Sequence, residues 1–219
     1  MDDGIVLIDK PAGMTSFGIV ARIRRVLSKK QGKKVKVGHT GTLDPFATGL
    51  MILVVGRECK NAGMYSKLDK VYQATICLGK TSTTGDIEGE ISNYSDKVPT
   101  LLEIEKIVNK FTGQTYQYPP IYSAIKIDGQ RAYKLARQGK QIEMPKRQVT
   151  IYSLELIDYV YPDLIIRTRV SSGTYIRSLA EDIGKALGTG AYCSQLRRLQ
   201  ISQWSVANAQ KLSDFGITD

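Results

Sequence analysis

Residues 38–50 read GHTGTLDPFATGL, with an aspartate at their centre and a proline directly after it. Gly38 and Gly41 admit backbone conformations that are closed to other residues. Pro45 moves Asp44 out of the α region and is well placed to begin a helix. We therefore expect the carboxylate of Asp44 to be presented where a tight loop meets a helix. An aspartate followed by proline is also an ordinary helix N-cap, so this dipeptide alone does not identify a catalytic group.

The segment before this loop is strongly basic. Between Asp9 and Asp44 the sequence contains nine Lys or Arg residues and no acidic residue. Apolar residues at spacings of three and four predict an amphipathic helix over 17–28, for which Thr15 or Ser16 offers a cap. The basic residues can form a flank that binds phosphates, or they can be the solvated face of a helix followed by a flexible loop.

The interspersed strands and helices predict an α+β fold. The expected strands cover 4–8, 51–55, 71–78, 123–127, 149–159, 164–170 and 196–204, and the expected helices cover 17–28, 101–110 and 175–187. Residues 81–95 are expected to form a loop, and 116–120 to interrupt regular structure. Because the order follows no regular βαβ period, we expect one domain over 1–219, with a large mixed, mainly antiparallel sheet flanked by helices.

The composition restricts the class of protein further. The chain has 219 residues, of which 42% are hydrophobic, and its formal net charge is +10. Such a charge favours a polyanionic partner, either a nucleic acid or an anionic membrane surface. No apolar run approaches the roughly 18–20 residues of a membrane span, and the start is acidic rather than signal-like, so we expect a cytoplasmic protein. His39 is the only histidine, which excludes a histidine-rich zinc site.

The stretch 38–50 closely resembles the signature loop of TruB-type pseudouridine synthases. Five further segments match motifs of that family in the same order along the chain. They are 10–16 with Lys10-Pro11, 72–79 with Tyr72, 119–139, 173–179 with Arg177, and Leu196-Arg197-Arg198. The resemblance implies the pseudouridine synthase fold, with a thumb-like segment over about 119–147 that grips RNA. Bacterial members usually carry a further carboxy-terminal PUA domain. The residues 205–219 that follow the last expected strand are too few for such a domain, so we expect none within 1–219, either because this member is naturally compact or because the sequence is part of a longer one.

The resemblance implies catalytic roles for three residues. Asp44 corresponds to a nucleophile that attacks either uracil C6 or ribose C1′, and the sequence does not choose between these atoms. Arg177 corresponds to an arginine beside that nucleophile, where a guanidinium favours the ionised carboxylate. Tyr72 corresponds to a tyrosine whose ring stacks on the target uracil and whose hydroxyl lies near the C5 proton. The alternatives are that Arg177 is a surface cation of a helix and that Tyr72 is a core aromatic on a strand.

Further residues are implied to contact the substrate. His39 corresponds to a side chain that fills the space left by a flipped base, although it could instead hydrogen-bond only within its own loop. Leu196 corresponds to an apolar wall of the pocket, and Tyr133 belongs to the thumb-like segment. Lys10 and Lys126 are assigned to RNA or loop contacts as members of a basic surface. The implied substrate is uridine 55 in the T loop of tRNA, acted on by a monomer without metal or cofactor.

Two other functions fit parts of the sequence. Gly79-Lys80-Thr81 follows a predicted strand as in a P-loop, but Ala74 stands where the complete motif needs glycine. A non-catalytic RNA-binding module would account for the charge and for aromatic residues among cations, which can stack unpaired bases. The aromatic residues in question are Tyr116, Tyr118, Tyr122 and Tyr133. The joint presence of all three predicted catalytic residues favours the enzyme.

Overall fold

The structure is a computed structural model that describes residues 3–123, 125–127, 129–140 and 142–217, without the side chains of Tyr133 and Arg137. The chain divides into two compact units. The first unit combines Met1–Tyr72 with Arg197–Asp219, and the second consists of Gln73–Leu196. The first unit is therefore built from both ends of the chain.

The regular elements alternate along the chain without a fixed period. The strands are β1 Gly4–Lys10, β2 Val37–His39, β3 Thr48–Val55, β4 Lys70–Leu78, β5 Lys80–Ser82, β6 Ile91–Asn93, β7 Gly113–Gln117, β8 Lys126–Ile127, β9 Gln130–Arg131, β10 Arg147–Val160, β11 Asp163–Val170, β12 Ala191–Ile201 and β13 Trp204–Ser205. The α-helices are α1 Ser16–Gln31, α2 Ala62–Ser66, α3 Leu101–Lys110, α4 Ala132–Arg137 and α5 Ile176–Leu187. Short 3-10 helices cover Gly56–Asn61, Val206–Asn208 and Leu212–Phe215.

β3 lies at the centre of the sheet in the first unit. β1 runs antiparallel along one edge of β3, from Gly4 opposite Val55 to Lys10 opposite Gly49. β2 pairs antiparallel with the end of β3, whereas the last part of β12 lies parallel to its beginning. Strands cover both edges of β3, which satisfies its backbone groups. Its alternating side chains are buried in two separate clusters, one on each face, so its sequence can be almost continuously apolar.

α1 supplies the helical layer of the first unit. Its residues Ile19, Val20, Ile23 and Leu27 are buried in one cluster with alternate residues of β1 and β3. The Oγ1 of Thr15 accepts a hydrogen bond from the Gly18 amide, and the helix ends at Gly32 in the left-handed conformation. The predicted amphipathic helix is confirmed, since its apolar spacing and its cap are those seen in the structure.

β10 is the central strand of the second unit and pairs antiparallel with both β11 and β7. β4 lies on the far side of β11. On one face of these strands Val149, Ile151, Leu154 and Ile166 are buried, and α3 packs against both β10 and α5. α3 begins with a capping box between Thr100 and Glu103, which satisfies amides that the first turn leaves without a partner.

The predicted fold class is confirmed. The strands form a mixed, mainly antiparallel sheet, in which the pairing of β3 with β12 is parallel, and helices flank it. The predicted helix over 101–110 agrees with α3 at both ends. Among the described residues, no helix is long and apolar enough to cross a membrane.

The surroundings of Asp44 differ from the prediction. No helix follows Pro45: the chain bends at Pro45 and Phe46 and enters β3 at Thr48. The Ala47 amide donates to the carbonyl of Asp44 over 3.1 Å, which closes a turn. Pro45 supplies the fixed backbone angle of that turn instead of a helix start.

The regions predicted to be irregular contain more paired β-strands than expected. Residues 81–95 include the hairpin of β5 and β6, and β7 extends to Gln117 inside the predicted interruption. In the described part of 123–127 only Lys126 and Ile127 form a strand, and the predicted last strand ends at Ile201 before a turn. Strands of two to five residues carry too little periodicity to be recognised. The P-loop alternative is wrong, because Gly79 leads into β5 and not into a helix.

Candidate active site

Asp44 lies in the loop that joins β2 to β3 in the first unit. Its neighbours Leu43 and Phe46 are buried, whereas Asp44 itself is half-buried. The Ser16 hydroxyl, at the start of α1, donates to the Leu43 carbonyl and lies 2.8 Å from the Leu43 amide, whose hydrogen bond it accepts. Both backbone groups directly before Asp44 are thereby fixed by one side chain.

Arg198 holds the same loop from β12. Arg198 is 1% exposed. Nε donates to the Leu50 carbonyl at 2.6 Å, while Nη1 and Nη2 donate to the carbonyls of Thr42 and Gly41 at 3.4 and 3.2 Å. A planar fork of donors suits several converging carbonyls. Arg198 therefore connects the first part of the loop, and β3 just after it, to β12.

Lys10 holds the other side of the loop and is 0% exposed. Its ammonium donates to the carbonyls of Pro11, Met14 and Pro45 at 2.8, 2.7 and 3.0 Å. The prediction that grouped Lys10 with the cations of a basic surface is wrong, because three carbonyls enclose its ammonium inside the unit. The alternative of loop contacts is the one that the structure supports.

Gly49 permits the close approach of β3 and β12. Its φ is +106°, and a Cβ built there would lie 2.8 Å from the amide nitrogen of Arg198 and closer still to its carbonyl oxygen. Any side chain at this position would push the two strands apart. The clamp that Arg198 forms therefore depends on a glycine at position 49.

Two more predicted site residues belong to the first unit. His39 is the last residue of β2, opposite Leu53, and is half-buried. Tyr72 lies on β4 and is buried, which also fits a core aromatic, so its catalytic role stays a prediction.

A second buried lysine lies near Arg198. The ammonium of Lys70 donates to the carbonyls of Ser66 and Leu68. Burial, followed by the charge of Arg198, lowers the pKa of Lys70 to about 8, and Asp69 opposes the shift. The first unit therefore concentrates buried positive charge around the strands that carry its loop.

Arg177 belongs to the second unit and lies in the first turn of α5. It is 4% exposed, so the alternative of a surface cation is wrong. Its Nη1 lies 2.9 Å from Asp86 Oδ2 and 3.0 Å from the Thr84 carbonyl, and its Nη2 donates to the Tyr122 carbonyl at 3.0 Å. The guanidinium is therefore held in a fixed orientation.

Asp86 is the partner that sequence reasoning missed. Its Oδ1 accepts from the Thr84 hydroxyl at 2.6 Å and from the Glu88 amide at 3.0 Å, while Oδ2 faces Arg177. The carboxylate is thus buried with every oxygen in use. An acid inside the Thr- and Gly-rich stretch 81–95 was the available signal, but that stretch reads as an ordinary loop.

The remaining predicted residues also lie in the second unit. Leu196 is buried on β12, and Lys126 is exposed on the short strand β8. The side chain of Tyr133, and residues 124, 128 and 141 of the thumb-like segment, lie outside the described part of the chain.

Comparison with known proteins defines the family of the chain. The model of the TruB family pseudouridylate synthase N-terminal domain matches residues 24–176, and that of the tRNA pseudouridylate synthase B C-terminal domain matches 177–216. The chain belongs to the TruB family of pseudouridylate synthases. The resemblance of its loop and motifs to TruB-type proteins is thereby confirmed.

Curated TruB relatives align over nearly the whole chain. A protein of Opitutus terrae named tRNA pseudouridine synthase B is 42% identical over 96% of this chain and 86% of its own length. A protein of the same name from an Azoarcus species is 44% identical over 96% of this chain and 68% of its own. At this coverage the alignments include most of both units.

Solved structures agree with the fold. A Cbf5–Nop10–Gar1 complex contains a chain with a TM-score of 0.74 and 29% identity over 96% of this chain and 53% of that one. An H/ACA ribonucleoprotein bound to a substrate RNA with 2′-deoxyuridine gives a TM-score of 0.71 and 26% identity over 96% and 51%. The chain spans about half the length of these solved chains.

Proposed function

We propose that this chain converts uridine to pseudouridine in tRNA, and that its target is uridine 55 of the T loop. The observation that carries the proposal is the alignment of nearly the whole chain with proteins named tRNA pseudouridine synthase B. The formal net charge of +10 supports a polyanionic substrate.

The proposed reaction is an isomerisation. The C1′–N1 bond of the uridine breaks, the uracil turns, and a C1′–C5 bond forms. The proton lost from C5 is balanced by the one gained at N1, so no oxidant, reductant or energy source enters. Side chains alone can supply a nucleophile and a base for these steps.

Asp44 is the proposed nucleophile. Its oxygen either adds to the C5–C6 double bond at uracil C6, or displaces the uracil from ribose C1′ as the C1′–N1 bond breaks. Either step gives a covalent intermediate, from which the carboxylate leaves after the base has turned. Support comes from the loop: the backbone before and after Asp44 is fixed by Ser16, Arg198 and Lys10, while the side chain is half-buried. Such preorganisation favours attack by limiting the motion of the reacting oxygen.

Two residues have proposed roles beside the nucleophile. Arg177 would favour the ionised form of Asp44, an assignment that rests on the family motif, and its orientation by Asp86 supports a positioned cation. Tyr72 would stack on the uracil and accept the C5 proton, directly or through a neighbouring group.

Substrate recognition is proposed to use base flipping. His39 would fill the space of the extruded uridine, and Leu196 would line the pocket. Lys126 and Tyr133 are proposed to contact the RNA through the thumb-like segment. The basic side of α1, where Arg22 and Arg25 are exposed, would bind phosphates and make the affinity salt-dependent. The monomeric state and the cytoplasmic location stay predictions.

The test is pseudouridine formation by the purified chain in buffer without cofactors. The substrates are a tRNA transcript and the same transcript with cytidine at position 55, and the product is located by mass spectrometry after chemical tagging. We expect one pseudouridine, at position 55, in the first transcript and none in the second. Modification elsewhere in both transcripts would contradict the proposed target, and the lack of any product would contradict the activity.

A further inference from the structure

An exposed, aromatic face covers three strands of the second unit. Tyr116 on β7 lies opposite Gln148 on β10, so their side chains are on the same face of the sheet. A hydrogen bond of 3.2 Å between Gln148 and Gln114 shows the same placement. Along β10 buried residues alternate with exposed ones up to Tyr152, where the register with β11 shifts. We call this surface the tyrosine face.

Two tyrosines at the edge of the tyrosine face enclose one cation. Tyr116 is 58% exposed and Tyr118 is 63% exposed. The ammonium of Lys146 lies 4.9 Å from the ring centroid of Tyr116 and 5.8 Å from that of Tyr118. Contacts at these distances are cation–π interactions, which hold the rings together without covering them.

A second pair repeats this chemistry on the neighbouring strands. The Arg169 guanidinium on β11 lies 5.1 Å from the ring centroid of Tyr152 on β10, which is 46% exposed. Arg167 is exposed two residues away and faces the exposed acid Glu155 across the strands. The tyrosine face thus presents three rings and three cations, with one carboxylate among them.

β7, the edge strand that carries Tyr116, is held in place by contacts on the opposite face of the sheet. Between the two exposed rings, Gln117 is buried, and its side chain exchanges hydrogen bonds of 3.3 and 3.1 Å with the backbone of Tyr175. The Ser178 hydroxyl donates to the carbonyl of Tyr118 at 2.9 Å. The rings therefore project from a backbone that the start of α5 fixes, the same turn that carries Arg177.

We propose that the tyrosine face binds unpaired nucleotides of the tRNA substrate, outside the uridine that is modified. Exposed rings on a sheet give stacking platforms for bases, and interleaved cations contact the phosphates between them. Positive charges outnumber negative ones on this face, and this excess complements the phosphates of RNA. The proposal rests on the proposed tRNA substrate and adds a second contact region to it.

The test compares variants in tRNA affinity and in kinetics. The double variant Tyr116→Ala with Tyr118→Ala removes both rings, and the double variant to Phe keeps them. Tyr94→Ala, a tyrosine that is also 63% exposed but lies outside this face, is the matched control. Loss of each stacking ring is expected to weaken tRNA binding about 10-fold. KM should rise accordingly while kcat stays constant, and the Phe and Tyr94 variants should behave as wild type.

A second measurement keeps the proposal testable if the double Ala variant does not fold. Wild-type protein is cross-linked by ultraviolet light to tRNA that contains 4-thiouridine, and the attached peptides are mapped by mass spectrometry. Cross-links within 113–118 or 146–152 are expected. Two results would overturn the proposal that the tyrosine face binds RNA. One is wild-type tRNA affinity of a folded Ala variant, and the other is the absence of those cross-links from protein that binds tRNA. A wild-type protein that binds tRNA through these residues but forms no pseudouridine would overturn only the proposed activity.

Discussion

The loop of Asp44 and the side chain of Arg177 are immobilised in opposite ways. Around Asp44, Arg198, Lys10 and Ser16 all bind backbone groups of the loop. Arg177, in contrast, is fixed through its own guanidinium, which Asp86 and two carbonyls hold. These contacts hold the main chain in the first region and the charged group in the second.

The difference corresponds to the chemistry proposed for each residue. A nucleophile has to reach a carbon atom and leave it again, and a fixed loop backbone limits the motion of its reacting oxygen. A cation that only stabilises the ionised nucleophile forms no bond with the substrate. Its guanidinium can therefore stay fixed, and a buried counter-ion compensates part of its desolvation. Arg198→Lys would weaken the support of the loop backbone, and Asp86→Asn would weaken that of the charged group.

The largest effect is expected from Asp44→Asn. The amide keeps the size of the carboxylate and the hydrogen bonds of the loop backbone, but it is no nucleophile. Pseudouridine formation should fall below detection, while the thermal midpoint and tRNA affinity stay at wild-type values. Asp163→Asn, at an exposed position of the second unit, serves as the control and should remain active. Measurable product from pure Asp44→Asn protein would rule out its role as nucleophile.

Asp86→Asn should have the next largest effect, because it removes the carboxylate that pairs with the buried guanidinium of Arg177 at 2.9 Å. Breaking a buried ion pair in this way costs about 3–5 kcal/mol of stability. We expect a fall in kcat of roughly 100-fold with little change in tRNA affinity. Chemical denaturation and single-turnover kinetics measure the two effects, and Asp96→Asn at an exposed position is the control. Normal kcat would show that the orientation of Arg177 is not needed.

Arg198→Lys should weaken the support of the loop backbone while the positive charge at this position is kept. The lysine keeps the cation but lacks the fork that reaches three carbonyls, so about 1–3 kcal/mol of stability should be lost. Amide hydrogen exchange within 40–47 should accelerate, and kcat should fall roughly 10-fold. Asp86→Asn should leave exchange in that loop unchanged. Equal acceleration in both variants would remove the distinction between the two kinds of support.

The smallest effect concerns Lys70, whose pKa is lowered to about 8 in the folded chain. Between about pH 8 and 10 the unfolded chain binds more protons at this lysine than the folded chain does, so stability should rise with pH. The rise is expected to be at most about 3 kcal/mol relative to Lys70→Met, in which that contribution is absent. Urea denaturation across this pH range measures it. A constant difference between the two proteins would show that Lys70 is not desolvated, and Lys126→Met, at an exposed position, is the control.

The sequence predicted the elements whose signals are local. α3 has a capping box and regular apolar spacing, and these features require no knowledge of distant segments. The Gly-rich loop around Asp44 was found through its family motif, although the helix expected after Pro45 is replaced by β3.

The buried polar contacts could not be predicted in the same way. Lys10 and Arg198 are buried because carbonyls from several segments converge on them, and nothing in their immediate neighbours distinguishes them from surface cations. The pair of Asp86 with Arg177 joins residues 91 positions apart. Such contacts depend on tertiary structure, which periodicity and spacing do not encode.

The distance along the chain between Thr42 and Arg198 has a consequence for biosynthesis. The two residues are 156 positions apart, and a ribosome adds about 5–20 residues per second. Arg198 is therefore synthesised about 8–30 s after Thr42, and only then can it bind the carbonyls of the loop. A nascent chain that has already exposed Asp44 therefore has no assembled first unit until translation has passed Arg198. Chains released before that point should be inert toward tRNA, even though they contain the proposed nucleophile.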